Sequence, residues 1–173
     1  DAMETLKGFP SESIHCIITS PPYYGLRDYH KEGQIGREAT VEEYLERLVQ
    51  IFREVRRVLK KDGTCFLVMG DSYAGTGSKG EQNDPKYPKG RNGQKSSITQ
   101  NISGYKSKDL MGIPWRLALL LREDGWYLRS DIIWHKENAM PEACRDRPTR
   151  SYEHVFLLSK SLRYYYDYEQ MAE

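Results

Sequence analysis

A short apolar run that two consecutive prolines stop is the feature that most constrains how this chain can fold. Ile14-His15-Cys16-Ile17-Ile18 is rich in β-branched residues and leads into Thr19-Ser20-Pro21-Pro22-Tyr23. Proline has a fixed φ and no N–H, so Pro21 and Pro22 cannot continue a strand ladder. Ser20 precedes a proline and is therefore held in an extended conformation. The pattern predicts a buried strand that ends in a stiff segment bearing a serine hydroxyl, bare carbonyl oxygens and an aromatic ring.

A long amphipathic helix follows this strand. Thr40 and Glu43 have the spacing of a capping box, and Asp62-Gly63 is the predicted end of the helix. Residues 64–69 then form a second buried strand. A strand, a helix and a strand in this order imply a parallel pair with a right-handed crossover, which is the α/β class. One apolar stripe at helical spacing supports the helix: Val41, Tyr44, Leu45, Leu48, Ile51, Phe52, Val55 and Leu59.

The remaining elements are predicted from shorter patterns. Pro114 fits the first turn of a helix over residues 109–124, and Trp126, Leu128, Ile132 and Trp134 alternate along a strand as if they shared one face. The other predicted elements are a short helix and turn over residues 1–13, a strand over residues 126–135, a strand over residues 152–159 and an extended segment over residues 163–167.

The groups at the end of the first strand suit a nucleobase that has left its duplex. The exocyclic amine of cytosine or adenine is a poor nucleophile because its lone pair is delocalised into the ring. The Ser20 oxygen and the Pro21 carbonyl could accept its two hydrogens, and Tyr23 could stack on the base. The amine could then attack a sulfonium methyl group in line, with catalysis by positioning and electrostatics. The tetrapeptide alone is also consistent with a plain strand end.

Several segments together resemble one protein family. Ser20-Pro-Pro-Tyr is similar to the (Asp/Asn/Ser)-Pro-Pro-(Tyr/Phe) motif of DNA amino-methyltransferases, which use S-adenosylmethionine. The similarity covers nearly the whole chain and is most marked to the site-specific enzymes of bacteria and phages that place this motif before the cofactor glycine motif. It continues through Tyr24-Gly-Leu-Arg-Asp-Tyr29, Gly70-Asp-Ser-Tyr73, Asp131-Ile-Ile-Trp-His-Lys136, Asn138-Ala-Met-Pro141 and Glu153-His154.

The resemblance implies half of a Rossmann-like methyltransferase sheet, with the catalytic strand at its inner edge. Residues 1–173 would be the catalytic, base-binding part of the domain. The Phe-x-Gly-x-Gly cofactor motif of the family is absent from the sequence, and in the resembled order it lies beyond residue 173. The start at Asp1, without a methionine, also indicates a fragment. We therefore expect the partner of this part to be a second copy or the missing remainder of its own chain.

Site residues follow from the resemblance by position. Ser20, Pro21, Pro22 and Tyr23 are the expected catalytic segment, and Ser20 also faces the cofactor. Asp1 has the spacing of an aspartate that lies near the cofactor adenine in relatives, although a solvated terminus is the alternative.

Three residues are candidates for the target-base pocket. Asp71 follows the second strand, at the edge where open α/β sheets bind ligands, although an Asx turn or a helix cap is the alternative. Asn138 and Glu153 are carried over from relatives, in which the loop between the last two strands borders the flipped base. Asn138 could instead make a turn, and Glu153 could pair with a neighbouring arginine.

A glycine-rich basic segment is predicted to contact DNA. Residues 75–108 contain six glycines, seven Lys or Arg residues and two acids. We expect a flexible loop that orders on DNA, with a merely mobile and soluble loop as the alternative. The residues expected on phosphates are Lys79, Arg91 and Lys95 in this loop, and Arg145, Arg147 and Arg150 in the later loop over residues 136–151.

Composition adds limits rather than a function. The net charge of +1 shows no overall basic character. Cys16, Cys65 and Cys144 lack metal-ligand spacing and predict reduced thiols in a cytoplasmic protein, with no metal. Neither a signal peptide nor an apolar run of membrane length is present in the sequence.

The expected substrate is double-stranded DNA, with no membrane involved. Serine at the first motif position favours cytosine N4 as the methylated atom, because relatives that act on adenine usually have Asp or Asn there. Methylation of adenine N6 is the alternative. A hypothesis of another class is a catalytically silent DNA-binding fragment that works through the basic loop.

Overall fold

The structure is a computed structural model that describes residues 2–75, 102, 104–139, 141–142 and 145–171. The chain divides into two compact units. The first contains all the strands, and the second contains the loop after Pro21 and the segments on either side of the basic stretch. The first unit is Asp1–Pro21, Leu45–Gly70 and Pro114–Glu173, and the second is Pro22–Tyr44 and Asp71–Ile113.

A four-stranded sheet lies at the centre of the first unit. Its strands are β1 (Ile14–Thr19), β2 (Leu59–Met69), β3 (Tyr127–His135) and β4 (Tyr152–Ser159). They lie in the order β1-β2-β4-β3. β1 and β2 are parallel, whereas β4 is antiparallel to both β2 and β3. The predicted α/β class, the parallel pair and the last two strands are therefore confirmed.

β1 is an edge strand in the described part of the chain. It pairs with β2 on one side, and its side chains are more exposed than a buried strand requires. Ile18 is 73% exposed, and Cys16 is exposed whereas Cys65 is buried. No residue of β1 is buried, so the prediction of a buried strand is wrong. Within the described residues, β1 has a neighbouring strand on one side only.

The helix α2 (Val41–Val58) begins as the sequence predicts. The Thr40 hydroxyl accepts a hydrogen bond from the Glu43 amide at 3.1 Å. The Glu43 carboxylate accepts one from the Ala39 amide at 3.1 Å. The side chains of Thr40 and Glu43 thus satisfy amides that have no partner inside the helix.

The end of α2 differs from the prediction. The helix ends at Val58, and β2 begins at Leu59 instead of residue 64. The carbonyls of Arg57 and Val58 accept hydrogen bonds from the amides of Glu12 and Ser13, at 3.1 and 2.9 Å. The segment before β1 therefore takes the acceptors that another turn of helix would need.

The helix α3 (Ile113–Glu123) begins four residues later than predicted. The Asp109 carbonyl accepts a hydrogen bond from the Ala74 amide at 2.9 Å, and the Met111 amide donates to the Ser72 carbonyl at 2.9 Å. These backbone groups are thus paired across a short bridge and are unavailable to a helix. Gly112, with φ of +67°, then turns the chain into α3.

An irregularity in β3 overturns the prediction of one shared face. Leu128 lies opposite Leu158, but Ile132 lies opposite Val155, because the register shifts between residues 128 and 130. Leu158 and Val155 are three residues apart and point to opposite faces of the sheet. Leu128 and Ile132 therefore do not share a face, since a bulge inserts one extra residue.

Helix-to-strand contacts close the core of the first unit. Trp115 of α3 packs edge-on against Phe156 of β4, and Phe52 of α2 packs edge-on against Trp126.

The short helix α1 (Ala2–Lys7), predicted within residues 1–13, is confirmed. Residues 163–167, for which an extended segment was predicted, belong to no strand and precede a short helix, α4 (Tyr168–Met171). In the described residues, no helix combines the length and apolar character needed to cross a membrane.

Candidate active site

The Ser20–Tyr23 segment leaves the carboxyl end of β1. Ser20 is exposed, and Pro21, Pro22 and Tyr23 are half-buried. Thr19, the last residue of β1, is paired with Leu67 of β2. The backbone leaves the sheet at the first proline because neither proline offers an N–H. Ser20 is thus an exposed residue at the edge of a parallel pair, where α/β folds bind ligands.

Two contacts from the following segment hold the second proline. The hydroxyl of Tyr44, a fully buried residue in the first turn of α2, donates a hydrogen bond to the Pro22 carbonyl at 2.8 Å. Gly36 lies against the same backbone: a Cβ atom there would be 2.9 Å from the Tyr23 carbonyl oxygen and 3.4 Å from that of Pro22. Gly36 has a φ of +91°, so both its conformation and the lack of space favour glycine.

The loop between the motif and α2 is tied back on itself. The Gly25 amide donates to the Gly36 carbonyl at 2.9 Å, and the Gly36 amide donates to the Glu38 carboxylate at 2.8 Å. The Tyr24 and Tyr44 rings lie 5.4 Å apart at 48°. The segment that follows Ser-Pro-Pro-Tyr is therefore an ordered loop with its own internal contacts.

Burial keeps both of these tyrosines protonated. Desolvation, with a smaller contribution from Glu38, raises the pKa of Tyr44 well above its ordinary value. Desolvation and then Glu38 also raise the pKa of Tyr24. Tyr44 is thus a hydrogen-bond donor over the whole neutral range, as its contact with the Pro22 carbonyl requires.

Asp71 acts as a cap. Its carboxylate accepts hydrogen bonds from the amides of Gly112 at 2.8 Å and Ile113 at 3.2 Å, at the start of α3. It also accepts one from the Ser72 amide at 2.9 Å. The cap that the sequence offered as an alternative is present, and three backbone amides share this carboxylate. The predicted role in the target-base pocket stays a prediction.

Glu153 lies at the same edge of the sheet as Ser20. β4 begins where β2 ends, since Met69 pairs with His154, so the residue before His154 is near the carboxyl ends of the parallel strands. Glu153 forms an ion pair with Lys136, a lysine and not the arginine considered from the sequence. Asn138 is exposed, two residues beyond Lys136. Their assignment to the base pocket stays a prediction.

A buried histidine contact adjoins Glu153 and had not been predicted. His154 is 8% exposed, and its Nδ1 lies 2.9 Å from an Asp131 carboxylate oxygen. Its ring stacks on Phe156 at an interplanar angle of 4° and meets the edge of Trp115. The pairing of β3 with β4 could have indicated this contact, because Asp131 and His154 point to one face once the bulge is known.

The predicted phosphate contacts have different surroundings. Arg147 pairs with Glu142 and donates to the Pro148 carbonyl at 3.2 Å, whereas Arg145 is exposed. Arg150 is half-buried. The remaining predicted DNA or cofactor contacts lie outside the described residues: Asp1, Lys79, Arg91 and Lys95.

Tyr44 is the residue near the motif that the sequence reasoning missed. The sequence pattern shows it only as one member of an apolar stripe. The available signal was its hydroxyl, because a buried tyrosine usually has a hydrogen-bond partner. In this structure that partner is the Pro22 carbonyl.

Comparison with known proteins gives consistent matches. The sequence profile of the family N6_N4_Mtase, described as DNA methylase, matches residues 14–173. The type II methyltransferase M.SmaI of Serratia marcescens is 53% identical over 173 residues, which are 100% of this chain and 58% of that protein. M.Cfr9I of Citrobacter freundii is 52% identical over 175 residues, covering 100% of this chain and 57% of that protein. The chain thus spans less than two thirds of the length of these relatives.

Solved structures share the fold. The PvuII DNA methyltransferase, named as cytosine-N4-specific, aligns with a TM-score of 0.67 and 20% identity over 99% of this chain and 51% of its own. A putative DNA modification methylase of Thermus thermophilus, TTHA0409, solved with S-adenosyl-L-methionine, aligns with a TM-score of 0.61 and 23% identity over 96% of this chain and 54% of its own. The predicted Rossmann-like methyltransferase sheet is therefore confirmed, at about half the extent of these chains. With the family profile matched over residues 14–173, the chain belongs to the N6_N4_Mtase family of DNA methylases.

Proposed function

We propose that the full-length protein carrying this chain transfers a methyl group from S-adenosylmethionine to N4 of a flipped cytosine in double-stranded DNA. The observation that carries the proposal is the exposed residue Ser20 followed by two prolines, at the carboxyl end of a parallel strand in a methyltransferase fold. Membership of the DNA methylase family gives the reaction class. The choice of base and the residue roles are our inference.

The roles follow from the groups present. The Ser20 hydroxyl and the Pro21 carbonyl would accept hydrogens from the exocyclic amine and direct its lone pair outward. The peptide group that contains the Pro21 carbonyl has no N–H, because its nitrogen belongs to Pro22. The half-buried Tyr23 would offer its ring to the base, which must leave the stack at a cost of a few kcal/mol.

The groups of this chain suit the reactive, sulfonium part of the cofactor. S-adenosylmethionine supplies an electrophilic methyl group on a positively charged sulfur. The hydroxyl oxygen of the exposed residue Ser20 and the carbonyl oxygen of Pro21 are electron-rich groups, which suits a neighbouring cation. The Phe-x-Gly-x-Gly motif is absent from the sequence. Residues outside this chain would therefore bind the adenosine and methionine parts.

Serine supports cytosine over adenine. Aspartate or asparagine at the first motif position is usual in relatives that act on adenine, and this chain has Ser20. One structural neighbour is named as cytosine-N4-specific. Adenine N6 is the second candidate, since the same geometry suits either exocyclic amine.

DNA contact and assembly complete the proposal. The basic residues of the segment 75–108 and of the loop after β3 would bind the phosphate backbone, and Arg145 of that loop is exposed. The protein would act on DNA in the cytoplasm, and the remainder of its own chain or a second copy would cover the exposed edge of β1.

Mass spectrometry of nucleosides tests the proposal. DNA treated with the full-length protein and S-adenosylmethionine should contain N4-methylcytosine. Ser20→Ala should slow a single turnover by about 10²–10³-fold, which is typical of one preorganised electrostatic contact. Ser13→Ala is the matched control, because Ser13 is a serine at the other end of β1 whose hydroxyl donates to the Pro10 carbonyl. N6-methyladenine would select the second candidate, and DNA without any methylated base would contradict the proposal.

A further inference from the structure

The Pro-Pro segment leaves one soft torsion for the fold to control. The Pro21 carbonyl and the Pro22 carbonyl lie in successive peptide planes, which the φ and ψ of Pro22 connect. The pyrrolidine ring fixes φ near −65°, so only ψ of Pro22 can change the angle between the planes. A contact that holds the Pro22 carbonyl restricts this ψ, and with it the angle between the Pro22 carbonyl and the neighbouring Pro21 carbonyl.

Tyr44 makes such a contact. Its hydroxyl lies 2.8 Å from the Pro22 carbonyl oxygen, and its side chain is fully buried. It projects from the first turn of α2, whose start is fixed by the capping contacts of Thr40 and Glu43. The donor is thus held on a regular element and not on a flexible loop, which is the arrangement that positions a neighbouring group accurately.

Gly36 limits the same segment from another side. The space for a Cβ atom at Gly36 is taken by the carbonyl oxygens of Tyr23, at 2.9 Å, and Pro22, at 3.4 Å. The backbone of Pro22 and Tyr23 is therefore in close contact with the Gly36 backbone while Tyr44 holds the Pro22 carbonyl. Movement of the Pro22 carbonyl would break the hydrogen bond or disturb the contact with Gly36.

We propose that Tyr44 is a positioning residue for methyl transfer, which sets the direction of the Pro21 carbonyl by holding the Pro22 carbonyl. This inference rests on the proposed function, in which the Pro21 carbonyl accepts a hydrogen of the target amine. Tyr44 touches neither base nor cofactor in this role. Its effect falls on the rate of the chemical step, because a misplacement of about 1 Å at a reacting centre can cost about 100-fold in rate.

Tyr44→Phe in the full-length protein tests the inference. We expect the single-turnover rate of methyl transfer to fall by about 10- to 100-fold, while the dissociation constants for DNA and S-adenosylmethionine change by less than about 3-fold. A purely structural role would instead lower the melting temperature and leave the rate of the folded enzyme unchanged. Replacement of Tyr44 by para-aminophenylalanine, which keeps an N–H donor at the same position, should restore most of the rate.

Tyr24→Phe is the matched control. Tyr24 is buried in the same aromatic pair, but its hydroxyl donates to the Glu38 carbonyl at 3.4 Å and not to the motif. The Tyr24→Phe variant should have a melting temperature lowered about as much as that of Tyr44→Phe, and a rate of methyl transfer close to that of the wild type. Equal rates for the two variants would overturn the inference.

Three further results separate the possible failures. If Tyr44→Phe does not fold, Gly36→Ala decides, because its Cβ would displace the same carbonyls and should also slow the chemical step. A wild-type rate in Gly36→Ala would overturn the inference. A wild-type protein that methylates no DNA would overturn the proposed function and this inference together. Loss of activity in Ser20→Ala alone, with Tyr44→Phe at the wild-type rate, would overturn only the positioning role.

Discussion

The cap that Asp71 supplies to α3 gives a stability prediction that the structure makes quantitative. Loss of an N-cap side chain costs about 0.5–2 kcal/mol, and loss of a negative charge at a helix N-terminus costs about 0.3–1 kcal/mol. Asp71 accepts three amide hydrogens, those of Ser72, Gly112 and Ile113. The expected loss for Asp71→Ala is therefore near the upper end of the combined range, at about 2–3 kcal/mol of unfolding free energy.

Asp71→Asn separates the cap from the charge. Asparagine caps a helix about as well as aspartate, so only the charge contribution of about 0.3–1 kcal/mol should be lost. Urea unfolding of the full-length protein measures both changes as shifts in midpoint at constant m-value. Asp109→Ala is the matched control, because Asp109 is a nearby aspartate whose carboxylate accepts a hydrogen bond from the Lys106 amide at 3.1 Å and caps no helix.

Two results would refute this reasoning. The first is an Asp71→Ala loss no larger than that of Asp109→Ala, and the second is an Asp71→Asn loss equal to that of Asp71→Ala. The same variants test the predicted pocket role of Asp71. If Asp71 is only a cap, the methyl-transfer rate of Asp71→Asn should fall no more than its loss of stability explains. A rate about 100-fold lower in a fully stable Asp71→Asn protein would assign the carboxylate to the base or cofactor pocket.

Tyr23→Ala should weaken binding of the flipped base by about 1–3 kcal/mol, whereas Tyr23→Phe should weaken it much less. If a DNA-affinity assay shows the same loss for both variants, the Tyr23 hydroxyl matters and the stacking does not. Burial raises the pKa of Cys65 to about 12, against an ordinary 9.0, so that its contribution to stability is present below pH 9 and is lost as the pH rises through 12; Cys65 should resist alkylation at neutral pH while the exposed Cys16 reacts, as peptide mapping would show, and equal labelling would contradict the burial. The isolated 173-residue chain should bind S-adenosylmethionine very weakly and should self-associate through its exposed strand edge; tight binding by a monomer, in calorimetry with light scattering, would place the cofactor site within this chain. Neutralising Lys79, Arg91 and Lys95 together should flatten the salt dependence of DNA binding by roughly one unit of log–log slope per lost phosphate contact. An unchanged slope would show that these three residues do not contact the DNA backbone.

The sequence alone determined the features that depend on local chemistry. β1 ends at Thr19 because the prolines have no amide to continue the ladder. α2 begins after Thr40 because the capping box is a contact between neighbours in the chain. The family was also recognisable, since Ser-Pro-Pro-Tyr and the segments that accompany it keep their character whatever the surrounding packing. These predictions need only the residues next to one another.

Tertiary structure decided the features that depend on partners far along the chain. α2 ends at Val58 because amides of the segment before β1 donate hydrogen bonds to its last carbonyls. α3 begins only at Ile113 because Asp71 and the bridge at residues 72–74 pair with the backbone that precedes it. The bulge in β3 exchanged the faces that simple alternation predicts. The role of Tyr44 was hidden for the same reason: its hydroxyl finds its acceptor 22 residues away. A hydrogen bond between distant residues leaves no periodic trace in a sequence, because either partner alone has an ordinary local explanation.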